Sequence, residues 1–563
     1  MFNTLPADAL MLMAWPWDRI QPFYADLLDR DLSSATVDEF MQDWSTLGRL
    51  MAEAGTRHYV AITVNTADAE AQAAYDRYLE NIYPQARQAD QDLKRKLLDS
   101  GVEPADFAIP LRNMRAEAEI FREENLPLLA QELKLESEFE AIIGGQTVIW
   151  DGAEMPVPQL QPIFQEQDRA LREAAWRTGA ARQLADREAI NTSWQRYLAL
   201  RRKMAANAGY DNYREFRWKQ LLRFDYSPAD CKAFGEAIEA VIVPAARRLY
   251  EKRRLALGVD SLRPWDLNVD PQGRPPLRPN MGMDDLTGAI SQIFHRVDPV
   301  LGGYFDTMRR EDLLDLENRK NKGSGGYCIE FQAAHRPFIF MNAVGMHDDV
   351  QTLLHEGGHA FHVFETAHLP YLQQIDYPME FAEVASMAME LLASPYLGEE
   401  NGGFYAQADA HRALVDHLEG SLLFWPYMAV VDGFQHWVYE NPDAATDPAT
   451  CDQAWGDLWD RFMVGIDYSG LEREKMTGWQ RKTHIHTAPF YYVEYGMAQL
   501  GAVQVWRNAL TDQADAVAAY RHALSLGGTA TLPDLYQAAG VRFAFDEALL
   551  REVVGFMEGR VKG

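Results

Sequence analysis

Two histidines with a glutamate between them, in His355-Glu356-Gly357-Gly358-His359, carry the strongest chemical signal in the chain. Residues four apart on an α-helix lie on one face, about one turn from each other. Two imidazoles placed this way can bind one metal ion, with the enclosed glutamate beside a water on that ion. The chemistry that needs these residue types at this spacing is metal-assisted hydrolysis, with the glutamate as general base. The flanks, Val350 to Leu354 and Ala360 to Phe364, carry little charge, so the helix is suited to burial. Asp348 and Asp349 suit its positive N-terminus. Gly357 and Gly358 break the pattern of a helix interior, where each glycine costs about 1 kcal/mol relative to alanine. They predict that another backbone, of substrate or protein, comes close to the helix, or that helices pack tightly there.

A catalytic zinc takes three protein ligands and keeps one position open. A glutamate on a later helix can be the third. The stretch from Pro378 to Glu390 fits: Pro378 can open a helix and the rest is strongly helix-forming. Glu380 and Glu383 are three apart and both could face the ion, so spacing leaves the choice open. Glu390, two turns beyond Glu383, is placed to accept a hydrogen bond from a ligand imidazole.

The segment from Thr483 to Trp506 forms a second chemical cluster. Peptide hydrolysis passes through an oxyanion that positioned donors must stabilise. His484, Tyr491, Tyr492 and Tyr495 supply candidate N–H and O–H donors. Tyr491 pairs with Tyr495 at i, i+4 and Tyr492 with Tyr495 at i, i+3, so Tyr495 ranks first. Aromatic packing accounts for at least one of the three tyrosines. His486 is given no role, and His411, His417 and His436 read as packing or surface groups. A third cluster precedes the histidine helix. Lys322-Gly323-Ser324-Gly325-Gly326-Tyr327 reads as a loop, followed by short strands at Cys328 to Phe331 and Pro337 to Asn342.

The runs Leu354 to His362 and Phe381-Ala382-Glu383-Val384-Ala385-Ser386 resemble the thimet oligopeptidase and oligoendopeptidase F family of zinc metallopeptidases. The likeness is greatest to its short bacterial oligoendopeptidases such as Pz-peptidase. It extends over Asn318 to Gly345 and Thr483 to Trp506, and Pro264-Trp265-Asp266-Leu267 resembles a family signature at the cleft rim. The resemblance selects Glu383 over Glu380 as third ligand and sets His484 at the family's histidine position. It implies that His355, His359 and Glu383 hold one Zn2+. Glu356 would take a proton from water and deliver it to the leaving amine, while Tyr495, with Tyr491 or Tyr492, and His484 steady the oxyanion. The implied fold is mainly α: two helical halves enclose a deep channel, with a small β-hairpin or sheet beside the zinc helix. Such a channel would admit short unfolded peptides and exclude folded proteins. The expected activity is therefore that of a zinc oligoendopeptidase. A related zinc carboxypeptidase, or an inactive peptide-binding protein, would share much of the motif.

At 563 residues the chain can bury a large core in more than one domain. A soft boundary falls in the glycine- and proline-containing stretch Gly144 to Pro158, where Thr147 to Trp150 is strand-like. It divides an N-terminal helical domain, 1–160, from a zinc peptidase catalytic domain, 161–563. Long helices are expected over Ala67 to Ser100, Ala108 to Leu135 and Gln165 to Arg223. The net charge of -29, from 54 basic and 83 acidic residues, argues against a nucleic-acid partner. Three widely spaced cysteines form neither a disulfide framework nor a cysteine-type zinc site, and predict a reducing, cytoplasmic setting. The first residues lack the basic start of a secretory signal. The most apolar stretch, Leu422 to Val431, is too short to cross a membrane.

Overall fold

The computed structural model describes residues 1–279, 281–319, 321–323 and 325–561. Ser324, in the glycine-containing loop expected before the first of the two short strands, lies outside them. The fold is mainly helical, with two small sheets.

Buried apolar side chains gather into two main cores. The first is N-terminal and built around α1 (Val37–Val64), whose Phe40, Trp44 and Leu47 face Leu27, Leu93 and Phe107. The second is much larger and runs from Ile120 to Met557. It holds α2 (Tyr213–Gln220), α3 (Pro228–Leu257), α4 (His347–Thr366), α5 (Met379–Ala393), α6 (Gln407–Glu440) and α8 (Tyr492–Ala509), with the short α7 (Thr483–Thr487) before the last. Local sequence sets their ends. Ser227 and Asp230 form a capping box at the start of α3, and Gly258 closes it in the left-handed region. In the first turn of α4, Asp349 accepts hydrogen bonds from the Val344 and Met346 amides at 2.9 and 2.7 Å. The sequence reading put both aspartates ahead of this helix, which in fact begins at His347. Helix α5 is buried on almost every face, as an apolar helix in the middle of a core must be. Burying one of its leucines contributes about 1.5–3 kcal/mol.

Two expected long helices are broken. Residues 67–100 form Ala69–Asn81 and Tyr83–Ser100, because Pro84 cannot continue the first ladder. Residues 108–135 break at Phe121, whose backbone is extended, and a second helix runs on as Leu126–Gly144 from Pro127 in its first turn.

Strand β1 (Thr147–Trp150), at the expected strand-like run, pairs antiparallel with β2 (Ala153–Pro156). Asp151 and Gly152 both have positive φ, the two-residue turn favoured by Asp-Gly. The second sheet has the order β3 (Leu314–Glu317), β5 (Arg336–Ala343), β4 (Tyr327–Phe331). β4 and β5 are the two expected strands, and β3, parallel to β5, was not foreseen. Helix α1 reaches across to this sheet: Thr63 bonds the Tyr327 hydroxyl at 2.6 Å and accepts from the Gly323 amide at 2.7 Å. Pro264–Asp266 is a short turn whose Asp266 is fully buried against Arg169 and Arg172. Among the described residues, no helix is long and apolar enough to cross a membrane.

Candidate active site

Helix α4 presents His355 and His359 side by side, ring centres 5.0 Å apart and nearly perpendicular. Helix α5 crosses so close to it that a Cβ on Gly358 would lie 2.4 Å from the Ala385 carbonyl oxygen and 2.5 Å from Ser386 Cα. Only glycine fits there. The backbone that approaches the motif is thus the protein's own, and the contact brings Glu383 over the histidines. Its Oε2 lies 3.4 Å from His355 Nε2 and 3.6 Å from His359 Nε2. Ligands about 2.1 Å from a tetrahedral ion stand about 3.4 Å from one another, so the donor set fits one such ion. Gly357 faces inward to Phe294. Glu380, the other glutamate that spacing allowed, turns away: it accepts a hydrogen bond from the Tyr226 hydroxyl and lies 3.5 Å from Arg223 Nε.

Neighbouring groups fix the three donors. Glu390, as its position suggested, accepts from His355 Nδ1 at 2.7 Å, which leaves Nε2 free to bind. Glu383 accepts from the Tyr491 hydroxyl at 2.6 Å and from Ser386 Oγ at 3.0 Å. Burial would lower His355, but its contacts with Glu383 and Glu390 outweigh that and hold the ring well above its ordinary value. Burial brings His359 down to about 4. Burial would raise Glu383, yet His359 and His355 bring its carboxyl down to about 2.

Glu356 is buried, and no protein group among the described residues bonds its Oε2. Burial lifts its carboxyl to about 7. It faces a cavity of about 270 Å3 that His355, His359 and Glu383 also line, with Cys328 and Glu330 of β4 on another side. Tyr491 and Tyr495 line the same cavity. Burial, followed by the nearby Glu383, pushes both phenols up, so they stay protonated donors. His484 stands behind them, its Nε2 3.4 Å from the Tyr495 hydroxyl, and burial brings it down to about 4. Tyr492 does not line the cavity. It packs against Phe424 and Tyr427 and is the tyrosine that belongs to the core. His486 is fully buried and stacked on Phe139.

The sequence reading missed the clamp behind this site. Arg223, just after α2, donates from Nη2 to the Phe490 carbonyl at 2.6 Å and to Glu494 at 2.5 Å. It reaches Glu380 on the other side, so one buried guanidinium spans α5, α8 and the turn before Tyr491. Phe490 holds a positive φ of 67°, an uncommon conformation for an aromatic residue. Its amide donates to Gln435 of α6 at 2.6 Å. No spacing rule flags a lone arginine whose partners Phe490 and Glu494 lie 267 and 271 residues on.

The chain is 22% identical over 398 residues to an oligoendopeptidase F homologue of Mycoplasma pneumoniae, a match covering 67% of this chain and 62% of that protein. It is 23% identical over 312 residues to oligopeptidase PepF of Bacillus subtilis, covering 54% and 45%. Both matches span less than two thirds of the curated relative. Among solved structures, Pz peptidase A with an inhibitor superposes at a TM-score of 0.92 and 27% identity, covering 100% of this chain and 99% of the other. Membership of the family identified below implies a metal cofactor. Residues 163–555 match the sequence model of peptidase family M3, which is more than half of the chain, and the chain belongs to that family.

Proposed function

We propose that this protein is a zinc-dependent oligoendopeptidase that hydrolyses internal bonds of short, unfolded peptides. The observation that carries the reading is the convergence of His355, His359 and Glu383 beside a buried Glu356 whose Oε2 has no protein partner. Two imidazole nitrogens and one carboxylate oxygen are a zinc ligand set. When bound there, zinc supplies Lewis-acid chemistry, acidifying water and polarising a peptide carbonyl. Glu356 accepts the proton of the attacking water and passes it to the leaving amine. Tyr495 lines the cavity and can donate to the oxyanion, with His484 orienting it, while Tyr491, whose hydroxyl is given to Glu383, holds that ligand in place. Strand β4 is an edge strand and lines the cavity, so an extended substrate can pair along it. The small cavity suits unfolded chains rather than folded ones. Residues 1–160 are then an N-terminal helical domain, whose Ile120 and Leu128 pack into the large core, and 161–563 the catalytic domain. Three free cysteines fit a cytoplasmic setting.

The test is cleavage of an end-blocked, internally quenched peptide, with metal content measured on the same sample. The native chain should carry zinc and cut the peptide between its blocked ends. Cutting restricted to peptides with a free C-terminus would assign a carboxypeptidase instead. Zinc-loaded protein that cuts neither would leave only peptide binding.

A further inference from the structure

A second group of ligand-type side chains lies outside the catalytic cavity. Helix α6 carries Asp432 and His436, four apart and therefore on one face. Helix α3 packs along α6 and sets Cys231 opposite them. One donor atom from each residue lies within 4.8 Å of the other two. All three are deeply buried, with exposures of 2% for Cys231, 4% for Asp432 and 2% for His436. Yet Asp432 Oδ1 and His436 Nε2 have no hydrogen-bond partner among the described residues. The nearest approach between the two side chains, Oδ2 to Nε2, is 3.4 Å. Buried carboxylates are ordinarily saturated with donors, because their lone pairs have given up water. A cavity of about 260 Å3 opens beside the group, lined also by Phe234, Met428 and Trp437.

The surrounding cations do not neutralise Asp432. Arg214 and Lys232 both bind Glu440, Arg461 binds Glu239, and Arg223 binds Glu494. Arg214 also comes within 3.4 Å of His436 Nδ1, the ring nitrogen that faces away from Asp432. A guanidinium can only donate, so an ion on Nε2, which puts the ring hydrogen on Nδ1, breaks this contact and leaves Arg214 with Glu440 alone.

We propose that Cys231, Asp432 and His436 bind a second divalent ion of the zinc class, with its open coordination position toward the cavity. A thiolate, a carboxylate and a neutral imidazole balance a charge of +2, and the sulfur selects zinc-like ions over magnesium or calcium. The Cys231 thiol gives its proton to solvent as the sulfur–metal bond forms. The ion staples α3 to α6. Next to it on α6, Gln435 holds the Phe490 amide, and the His436 ring packs 5.2 Å from the Phe490 ring. The staple therefore stiffens the wall from which Tyr491 projects. The sequence reading treated His436 as a packing group, and the cluster emerges only when α3 and α6 are seen together.

Metal counting on the full chain tests this. Reconstitution with Zn2+ followed by desalting should leave two ions per native chain, one in Cys231→Ser and one in Glu383→Ala. Replacement by Co2+ should give a near-ultraviolet thiolate-to-cobalt absorption that Cys231→Ser loses. Glu383→Ala should keep it, as should Cys328→Ser, which removes the thiol of the catalytic cavity. One Zn2+ per native chain with no thiolate-to-cobalt band overturns the proposal, even if the Cys231 variant does not fold. So does a band that disappears in Cys328→Ser and persists in Cys231→Ser.

Discussion

The two ligand clusters share a plan and differ in their surroundings. Each takes two side chains four apart on one helix and a third from the helix packed against it: His355 and His359 with Glu383, and Asp432 and His436 with Cys231. At the first, the residue after the leading ligand is Glu356. At the second it is Gly433. The first has Glu390, Ser386 and Tyr491 bonded to its donors and two phenols over its cavity. The second has unpartnered polar atoms and is walled by Phe234, Met428 and Trp437. Three donors are enough to hold an ion. A base, oriented ligands and hydroxyl donors are what make such a centre reactive.

The sharpest way to break this contrast is Glu356→Gln. It should lower kcat by about 10²–10⁴-fold while zinc at the first site stays bound, read from peptide cleavage and metal content. Undiminished turnover would strip the first site of what separates it from the second. Next comes the clamp behind the first cluster. Arg223→Met leaves Glu494 buried without its partner and should cost about 3–5 kcal/mol in denaturant unfolding. Arg223→Lys, which keeps the charge but loses the fork, should cost less. A midpoint that does not move in the methionine variant would remove Arg223 from the argument. Tyr495→Phe should reduce kcat by about 10²–10³-fold with a smaller change in KM, and Tyr492→Phe should cost less. The reverse ranking would mean that the buried tyrosine is the donor. The smallest effect expected is on affinity. Glu390→Gln should weaken zinc binding at the first site by about 10–100-fold in chelator competition, whereas Cys231→Ser should leave that affinity where it was. Equal weakening in both would mean that the clusters are one coupled system.

Much of the first site could be read from the chain. The His-Glu-x-x-His spacing is local to one helix, and so is the turn that sets Glu390 below Glu383. Strands β1, β4 and β5 were legible from β-branched and aromatic runs. Strand β3 was not, because Leu314-Asp315-Leu316-Glu317 is four residues long and half acidic. The helix breaks at Pro84 and Phe121 passed unseen where apolar periodicity continued across them. The choice between Glu380 and Glu383 needed more than spacing. In the fold it is decided by Tyr226 and Arg223, which hold Glu380 in a separate buried network. The same limit hid Cys231. A cysteine 201 residues before Asp432 has no local partner, and only helix packing makes the pair.

Gly358 sets the grip of the first centre without offering it a single functional atom. The gap left by its missing methyl fixes how near α5 can lie, and so how far Glu383 must reach to meet the two rings. Alanine there would leave His355, His359 and Glu383 in the sequence and still spread them apart. The spacing of the three side chains is set partly by a residue that is not one of them.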